Sequence, residues 1–241
     1  MLEGLYTAAA GMEAQQQRLD SLANDVANVD TTGYQSVRVG FHDLVYQADG
    51  GSGVRTGAGV ATTNLGRSFQ EGPLQQTGEP FDMALEGPGY SQVRTASGQL
   101  ALTRAGSFSA DASGELVDPN GDRLEPPIRV PQGTDPRTIK ISPTGVVTAG
   151  RQQLGQIAVV TVAAPTALNP IGNNLFAPTA ASGGIRPVAG TRIVQGALEG
   201  SDVDLATTMT GMMDAQRSYA LASKAITIQD QMMQIANNLR S

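Results

Sequence analysis

Apolar residues recur at intervals of seven at both ends of the chain. The first series, the N-terminal seam, consists of Leu5, Met12, Leu19 and Val26, and Leu22 flanks it. The second series, the C-terminal seam, consists of Leu205, Met212, Tyr219, Ile226 and Met233. A heptad repeat of this kind is typical of coiled-coil helices. We therefore predict a helical segment over residues 1–34 and a second one over residues 199–241 that pairs with it.

Both seams are narrow, because Ala, Gln, Ser and Thr occupy the columns beside them. A narrow seam buries little apolar area, whereas ordering each residue costs about 1–2 kcal/mol. We therefore expect the two helices to pair with each other and with neighbouring subunits, and to be weakly ordered in the free monomer. The alternative is that both helices simply cover one face of the region between them.

Polar residues mark the inner boundary of each helix. In "SLANDVANVDTTGYQ", residues 28–32 compete for backbone hydrogen bonds and so end the first helix, while Gly33 permits a turn and Tyr34 anchors the chain. We expect Gly33 to need a backbone conformation that β-branched residues disfavour, and Gly33→Val to harm assembly more than the central domain. In "SDVD", we expect Ser201 to cap the second helix and Asp204 to be its third helical residue.

The middle of the chain predicts strands. It contains alternating segments such as "FDMALEG", "GQLALTRAGSFSA" and "LGQIAVVTVAA", which are separated by turn signals such as "PNG" and "PTG". All 13 prolines lie between Pro73 and Pro187. We predict a mainly antiparallel β domain, a sandwich or barrel, over residues 66–198, after an extended linker or hairpin region over residues 35–65. Within that region "GGSGVRTGAG", residues 50–59, is the candidate flexible linker. The fold class is α+β, with a discontinuous helical coiled-coil domain flanking the β domain.

Composition excludes several kinds of chemistry. The 241 residues contain no Cys and one His, so disulfides, Cys metal sites and His clusters are excluded. A Ser-His-Asp triad would need His42, and on an extended chain its neighbour Asp43 points to the other face. The net charge is −6 without a run of Lys and Arg, which argues against nucleic acid as a partner. We therefore expect no enzyme activity and no cofactor. The N-terminal segment has no basic stretch ahead of an apolar core and nothing long enough to span a bilayer, so we also expect no cleaved signal peptide and no membrane insertion.

The segment "AAAGMEAQQQRLDSLANDVANVDTTGYQ" resembles the N-terminal signature of the rod and hook proteins of the bacterial flagellum. In that signature a helix ends in Asn-x-x-Ala-Asn-x-x-Thr-x-Gly followed by an aromatic residue. The matching positions here are Asn24, Ala27, Asn28, Thr31, Gly33 and Tyr34. Further similar segments include "VRVGFHDLVYQ", "LTRAGSFSADASGELVDPNGDRL" and the C-terminal "QGALEGSDVDLATTMTGMMDAQRSYALASKAITIQDQMMQ". The resemblance covers nearly the whole chain, and within the family it is closest to distal rod proteins.

The resemblance implies a structural subunit of the basal-body rod, located outside the cytoplasm and in the periplasm where an outer membrane exists. Such subunits are exported unfolded by the flagellar type III apparatus and polymerise into a hollow shaft that transmits torque. The implied partners are further copies of the chain, neighbouring rod and hook proteins, and the export apparatus. The expected inter-subunit residues are the two seams, Leu22, and the motif positions Asn24, Asn28, Thr31, Gly33 and Tyr34.

Two alternatives stay open at the level of sequence. The first alternative is a proximal-rod or hook component of the same family, because the segment from Gln47 to Val60 is short for a distal rod protein. The other is a secreted β-sandwich binding module whose helices oligomerise it.

Overall fold

A computed structural model describes residues 2–46, 56–188 and 190–238. The chain divides into two compact units. The helical unit comprises Met1–Ala27, Val37–Arg67 and Asp204–Ser241, and the β unit comprises Asn28–Ser36 and Ser68–Val203. The chain therefore enters and leaves each unit more than once, and the helical unit is assembled from both ends of the sequence.

Two long helices form most of the helical unit. Helix α1 spans Leu2–Ala27 and helix α2 spans Leu205–Asn238. They pack against each other, with Gly4 beside the Gln229 side chain and Gly211 beside that of Leu22. Because the early part of α1 lies next to the late part of α2, the two helices run antiparallel.

Small side chains lie at the centre of this helix pair. Among the described residues of the helical unit, Ala14 and Ala215 are the apolar residues that are fully buried. Most seam residues are half-buried, whereas Leu205 and Tyr219 are exposed. Both predicted helices are present and pack together, but α1 ends at Ala27 and α2 begins at Leu205, inside the predicted segments 1–34 and 199–241. A coiled coil along the two seams stays a prediction.

A β-hairpin completes the helical unit. Strand β1 spans Val37–Tyr46 and pairs antiparallel with strand β2, Thr56–Arg67. Helix α1 contacts both strands, and a Cβ atom added to Gly59 of β2, whose φ is 108°, would lie 3.1 Å from the Cβ of Ala10. The predicted flexible linker falls partly outside the described residues, at 50–55, while residues 56–59 belong to β2.

The described part of the β unit contains sixteen short strands. Their bounds are β3 Leu74–Gln76, β4 Met83–Glu86, β5 Tyr90–Arg94, β6 Leu100–Thr103, β7 Ser109–Ala110, β8 Leu116–Val117, β9 Arg123–Glu125, β10 Ile139–Ile141, β11 Val146–Ala149, β12 Gln152–Gln156, β13 Val159–Thr161, β14 Asn169–Gly172, β15 Leu175–Ala177, β16 Arg186–Pro187, β17 Arg192–Gln195 and β18 Ala197–Glu199. Two 3₁₀ turns, Pro136–Thr138 and Pro165–Ala167, interrupt them.

Every pairing among the described strands is antiparallel, as the alternating pattern predicts. The largest sheet has the order β14-β15-β6-β5-β9-β8-β7, with β13 joined to β5 and β16 joined to β13. A three-stranded sheet of β10-β11-β12 and the pairs β17-β4 and β18-β3 complete the unit. The main core includes Met83, Leu85, Val93, Leu124 and Val147, all at most 2% exposed.

The start of α2 corrects the predicted cap. The helix begins at Leu205, so Asp204 is its N-cap and not its third residue. The Asp204 carboxylate accepts a 2.7 Å hydrogen bond from the Thr207 N–H, and the Asp204 carbonyl accepts one from the Thr208 N–H. Ser201 instead accepts a hydrogen bond from the Val203 N–H within the β unit. An N-cap aspartate accepts hydrogen bonds from the free N–H groups of the first turn as well as serine does. Its negative charge also interacts favourably with the positive end of the helix dipole.

Candidate assembly site

The polar stretch after α1 forms a turn within the β unit. We call residues 28–36 the junction turn. The Thr31 N–H donates to the Asn28 carbonyl at 3.1 Å, and the Thr31 hydroxyl donates to the Asn28 side-chain oxygen at 3.1 Å. The Tyr34 N–H then donates to the Thr31 carbonyl at 3.3 Å. These local hydrogen bonds replace those of a continuing helix, as expected for Asn and Thr at a helix end.

Gly33 is held in a conformation and a position that exclude a side chain. Its φ is 65°, and its N–H donates a 2.8 Å hydrogen bond to the Glu199 carbonyl. A Cβ atom at this position would lie 2.6 Å from the backbone nitrogen of Ala105 and 2.8 Å from the carbonyl carbon of Arg104. The conformational requirement predicted from the sequence is confirmed. The close approach to the 104–105 backbone adds a second, steric reason for glycine.

The rest of the junction turn is bound by residues that are distant in sequence. Asn174 donates its side-chain N–H to the Thr32 carbonyl at 2.9 Å. The Asp202 carboxylate accepts hydrogen bonds from the Ser36 N–H at 2.7 Å and from the Ser36 hydroxyl at 3.2 Å. The Asp202 N–H donates to the Tyr34 carbonyl at 3.3 Å. The segment that follows α1 and the segment that precedes α2 are thus hydrogen-bonded to each other inside the β unit.

A buried ion pair lies directly beneath this turn. The Arg104 Nε donates to Glu199 Oε2 at 2.8 Å, and the two side chains are only 5% and 4% exposed. The remaining guanidinium N–H groups donate to carbonyls of residues 85, 87 and 89, and Glu199 Oε1 accepts from the Gly72 N–H at 3.1 Å. Both charges are therefore paired and hydrogen-bonded. Removing one partner of such a pair typically costs about 3–5 kcal/mol, because the other charge stays buried.

The titration of this cluster follows from its burial. Burial raises the pKa of the Glu199 carboxyl, while the hydrogen bond and the charge of Arg104 act in the opposite direction. Burial also raises the pKa of the Tyr90 hydroxyl, and its hydrogen bond with Gln35 of the junction turn opposes that shift. Tyr34 and Gln35 are themselves buried. The polar groups of this region are directed at one another and at backbone atoms, which is the arrangement of an architectural turn.

Apolar side chains lie exposed along one face of α2. This outer stripe consists of Met209, Met213, Leu221, Ile228, Met232 and Ile235, which are between 45% and 69% exposed. At about 100° of rotation per residue, it lies on the opposite side of α2 from Thr208 and Ala215, which are buried. Helix α2 is therefore apolar on two faces, which is typical of a helix that is surrounded by other helices.

The hairpin of the helical unit also exposes apolar side chains. Phe41, Leu44 and Val45 of β1 and Leu65 of β2 are each at least 38% exposed. The Arg18 guanidinium lies 5.9 Å from the centre of the Phe41 ring and covers part of it. Exposed apolar side chains such as these are candidates for contact with other proteins.

The predicted site residues fall into two groups. Gly33 and Tyr34 are buried in the β unit, and Asn28 and Thr31 are half-buried in the same turn. The residues of the helical unit are half-buried or exposed; they are Leu5, Met12, Leu19, Leu22, Asn24, Val26, Leu205, Met212, Tyr219, Ile226 and Met233. Their contacts with neighbouring subunits stay a prediction.

Sequence reasoning missed the outer stripe and the Arg104–Glu199 pair. Leu221, Ile228 and Ile235 are also seven residues apart, so a second heptad series was present in the sequence and could have been recognised. The ion pair joins residues 95 positions apart and carried no comparable signal. Among the described residues, no group of His, Cys, Asp and Glu is arranged to hold a metal ion. Over the same residues, neither helix offers a stretch that is long and apolar enough to cross a bilayer.

The fold and these surfaces define a structural class of protein, in which helices from both ends of the chain form one unit and expose apolar faces. Three descriptions of known families match the chain. "Flagella basal body rod protein" matches residues 5–35, and "Flagellar hook protein FlgE/F/G D1 domain" matches residues 84–149. "Flagellar basal body rod FlgEFG protein C-terminal" matches residues 194–239.

Full-length relatives give the same result. The chain is 38% identical to the flagellar basal-body rod protein FlgG of Borreliella burgdorferi, over 100% of this chain and 99% of the relative. It is 37% identical to FlgG of Agrobacterium fabrum, over 98% of each chain, and 36% identical to FlgG of Caulobacter vibrioides, over 100% of each. The chain therefore belongs to the flagellar basal-body rod protein family. The resemblance to distal rod proteins drawn from the sequence is confirmed.

Proposed function

We propose that this chain is a structural subunit of the flagellar rod and polymerises helically into the hollow shaft that transmits torque from motor to hook. The observation that carries the proposal is the outer stripe of α2. Within the helical unit α1 packs on one face of α2, while the opposite face presents six large apolar side chains to solvent. A rod subunit in a helical array has neighbours that cover such a face.

Helical polymerisation requires two different complementary surfaces on each subunit, because a self-complementary surface closes into a dimer. The helical unit offers more than one candidate surface. They are the outer stripe, the exposed end of the C-terminal seam around Leu205 and Tyr219, and the apolar side chains of the hairpin. We propose that contacts between different members of this set build the shaft.

The proposal couples the folding of the helical unit to assembly. Among its described residues the two fully buried apolar side chains are alanines, whereas the main β core holds large residues such as Met83, Leu85 and Leu124. An unfolded chain must lose about 1–2 kcal/mol of conformational entropy per ordered residue, and burial of alanine offsets little of that cost. Neighbouring subunits that bind only the folded helices add the missing stabilisation by mass action.

Location and partners complete the proposal. We propose that the chain is exported unfolded by the flagellar type III apparatus and assembles outside the cytoplasm, in the periplasm where an outer membrane exists. Its neighbours in the shaft are further copies and other rod and hook proteins. The proposed location and the proposed neighbours both rest on the family, because the relatives are named as basal-body rod proteins.

Assembly of the purified protein at high concentration tests the proposal. We expect electron microscopy to show rods of repeating subunits, and we expect Ile228→Glu, which places a charge on the outer stripe, to abolish them. The matched control is Gln216→Glu, which introduces the same charge at an exposed polar position of α2. Discrete small oligomers instead of rods would contradict the proposal and favour a binding module. Equal assembly of the two variants would remove the outer stripe from the interface.

A further inference from the structure

Methionine occupies three of the six positions of the outer stripe. Met209 and Met213 are each 50% exposed, and Met232 is 61% exposed. Met83, in the main core of the β unit, is 2% exposed. The remaining described methionines, Met12, Met212 and Met233, are half-buried in the helical unit. Of the methionines that the structure describes, the three most accessible therefore lie on the surface that we assign to assembly.

Exposed thioethers react with peroxides by a balanced two-electron step. The sulfur lone pair attacks one peroxide oxygen, the O–O bond breaks, and the other oxygen leaves as water after proton transfer. Sulfur is oxidised to the sulfoxide and the peroxide is reduced. The product is a polar, chiral side chain that disrupts methionine-rich interfaces, and methionine sulfoxide reductases reverse it.

The geometry points to Met209, Met213 and Met232 as a modification site whose oxidation by peroxides prevents self-association. Three sulfoxides on one face give the stripe strong hydrogen-bond acceptors that lose water when a neighbouring subunit covers them. Such burial is unfavourable unless donors are supplied. This inference rests on the proposed assembly through the outer stripe.

The same geometry distinguishes the free from the assembled chain. In the free chain the three sulfur atoms are accessible to solvent, whereas in the shaft the neighbouring subunit covers them. Oxidation therefore acts on subunits before they are incorporated, and the assembled rod is protected. Oxidation therefore lowers the concentration of free subunits that are able to assemble.

Hydrogen peroxide treatment of the purified full-length chain, followed by peptide mass spectrometry, tests the site. We expect Met209, Met213 and Met232 to be oxidised about tenfold or more faster than Met83, because susceptibility follows exposure. We expect their oxidation to slow about tenfold in preassembled rods, and treatment with a methionine sulfoxide reductase to restore assembly of oxidised chains. Equal rates in free chains and rods, or no recovery after reduction, would overturn the inference.

Two triple variants identify which methionines matter. Methionine-to-leucine changes conserve apolar volume and remove the reactive sulfur. Peroxide treatment should leave the assembly of M209L/M213L/M232L at the level of the same variant without peroxide, whereas it should abolish the assembly of M12L/M212L/M233L, which retains the outer methionines. The reverse result would assign the effect to the half-buried set and overturn the inference.

The two proposals fail in different ways. If untreated wild-type protein forms no rods, the proposed function fails. If untreated protein forms rods and fully oxidised protein forms them equally well, the assembly proposal stands and the oxidation site is wrong.

Discussion

Single residues decide how the chain passes from α1 into the β unit. Gly33 combines a positive φ, a hydrogen bond to the Glu199 carbonyl and an approach to the 104–105 backbone that leaves no room for a Cβ atom. Glu199 in turn pairs with Arg104 through its buried side chain. One residue thus connects the junction turn to the ion pair through its backbone and its carboxylate. A change at any of these positions acts on the same cluster.

Replacement of Gly33 tests this arrangement at the residue scale. We expect Gly33→Ala to lower the free energy of unfolding of the β unit by about 1–2 kcal/mol, because alanine must adopt the left-handed backbone conformation that glycine adopts without strain. The collision with Ala105 adds about 1–3 kcal/mol, as in overpacked cores, and Gly33→Val costs more than Gly33→Ala. Denaturant unfolding followed by a probe of the β unit measures the difference. Because a side chain at residue 33 collides with Ala105, we expect Gly33→Val to destabilise the β unit itself. The expectation from the sequence alone was that this variant harms assembly more than the β domain.

Gly98 offers a matched control for this measurement. Its φ is 82°, yet a Cβ atom there meets no atom within 4 Å. Gly98→Ala therefore reports the cost of the left-handed conformation without the steric collision. Equal losses in Gly98→Ala and Gly33→Ala would show that the close approach to Ala105 is unimportant.

At the scale of elements, local hydrogen bonds fix the start of α2, and its apolar faces differ in how far they are buried. The Asp204 cap requires only residues within the first turn. Burial along the helix depends on α1, which covers one face and leaves the outer stripe exposed. The heptad pattern therefore predicts that α2 is a helix, but packing against α1 determines which of its apolar faces is buried.

The charge of Asp204 gives α2 a testable pH dependence. The hydrogen bonds from the Thr207 N–H and hydroxyl lower the pKa of the Asp204 carboxyl. The ionised cap therefore stabilises the helix above the unfolded pKa of about 3.9, and this contribution is lost as pH falls through the lower folded pKa. We expect the helical circular dichroism signal to weaken as pH falls through this range.

Asp204→Asn separates the cap from other titrating groups. Asparagine is also a good N-cap but carries no titratable carboxyl. The variant should keep helix content near that of wild type at neutral pH and lose less of it in acid. An identical acid response in both proteins would exclude a contribution from Asp204.

At the scale of the whole molecule, two units of different construction share one chain. The β unit has a core of large apolar side chains and a fully paired buried ion pair. The helical unit has two buried alanines at its centre and exposes apolar side chains on α2 and on the hairpin. Their stabilities should therefore respond differently to protein concentration.

Hydrogen exchange measures this difference. We expect backbone amides of α2 to gain protection as protein concentration rises, because association covers the outer stripe, whereas amides of Val93, Leu124 and Val147 keep the same protection. Ile228→Glu should remove the concentration dependence. Full protection of α2 at the lowest concentration would mean that the helices are already stable in the monomer.

The sequence by itself determined the local elements and the family. Heptad spacing predicted both helices, alternation and turn residues predicted antiparallel strands, and the Asn-x-x-Ala-Asn-x-x-Thr-x-Gly signature indicated a rod protein. These signals are local, because they depend on backbone propensities and on periodicity within a few turns or strands. The start of α2 was misplaced by such reasoning, since Ser201 and Asp204 are both acceptable N-caps and only the hydrogen bonds distinguish them.

Only the tertiary structure decided which distant residues meet. It placed the junction turn in the β unit, paired Arg104 with Glu199, and brought Asn174 and Asp202 to the backbone of residues 32–36. It also selected one face of α2 for α1 and left the outer stripe exposed. These outcomes depend on packing between segments that are far apart in sequence, and the competition among several acceptable apolar faces is settled only when the whole unit folds.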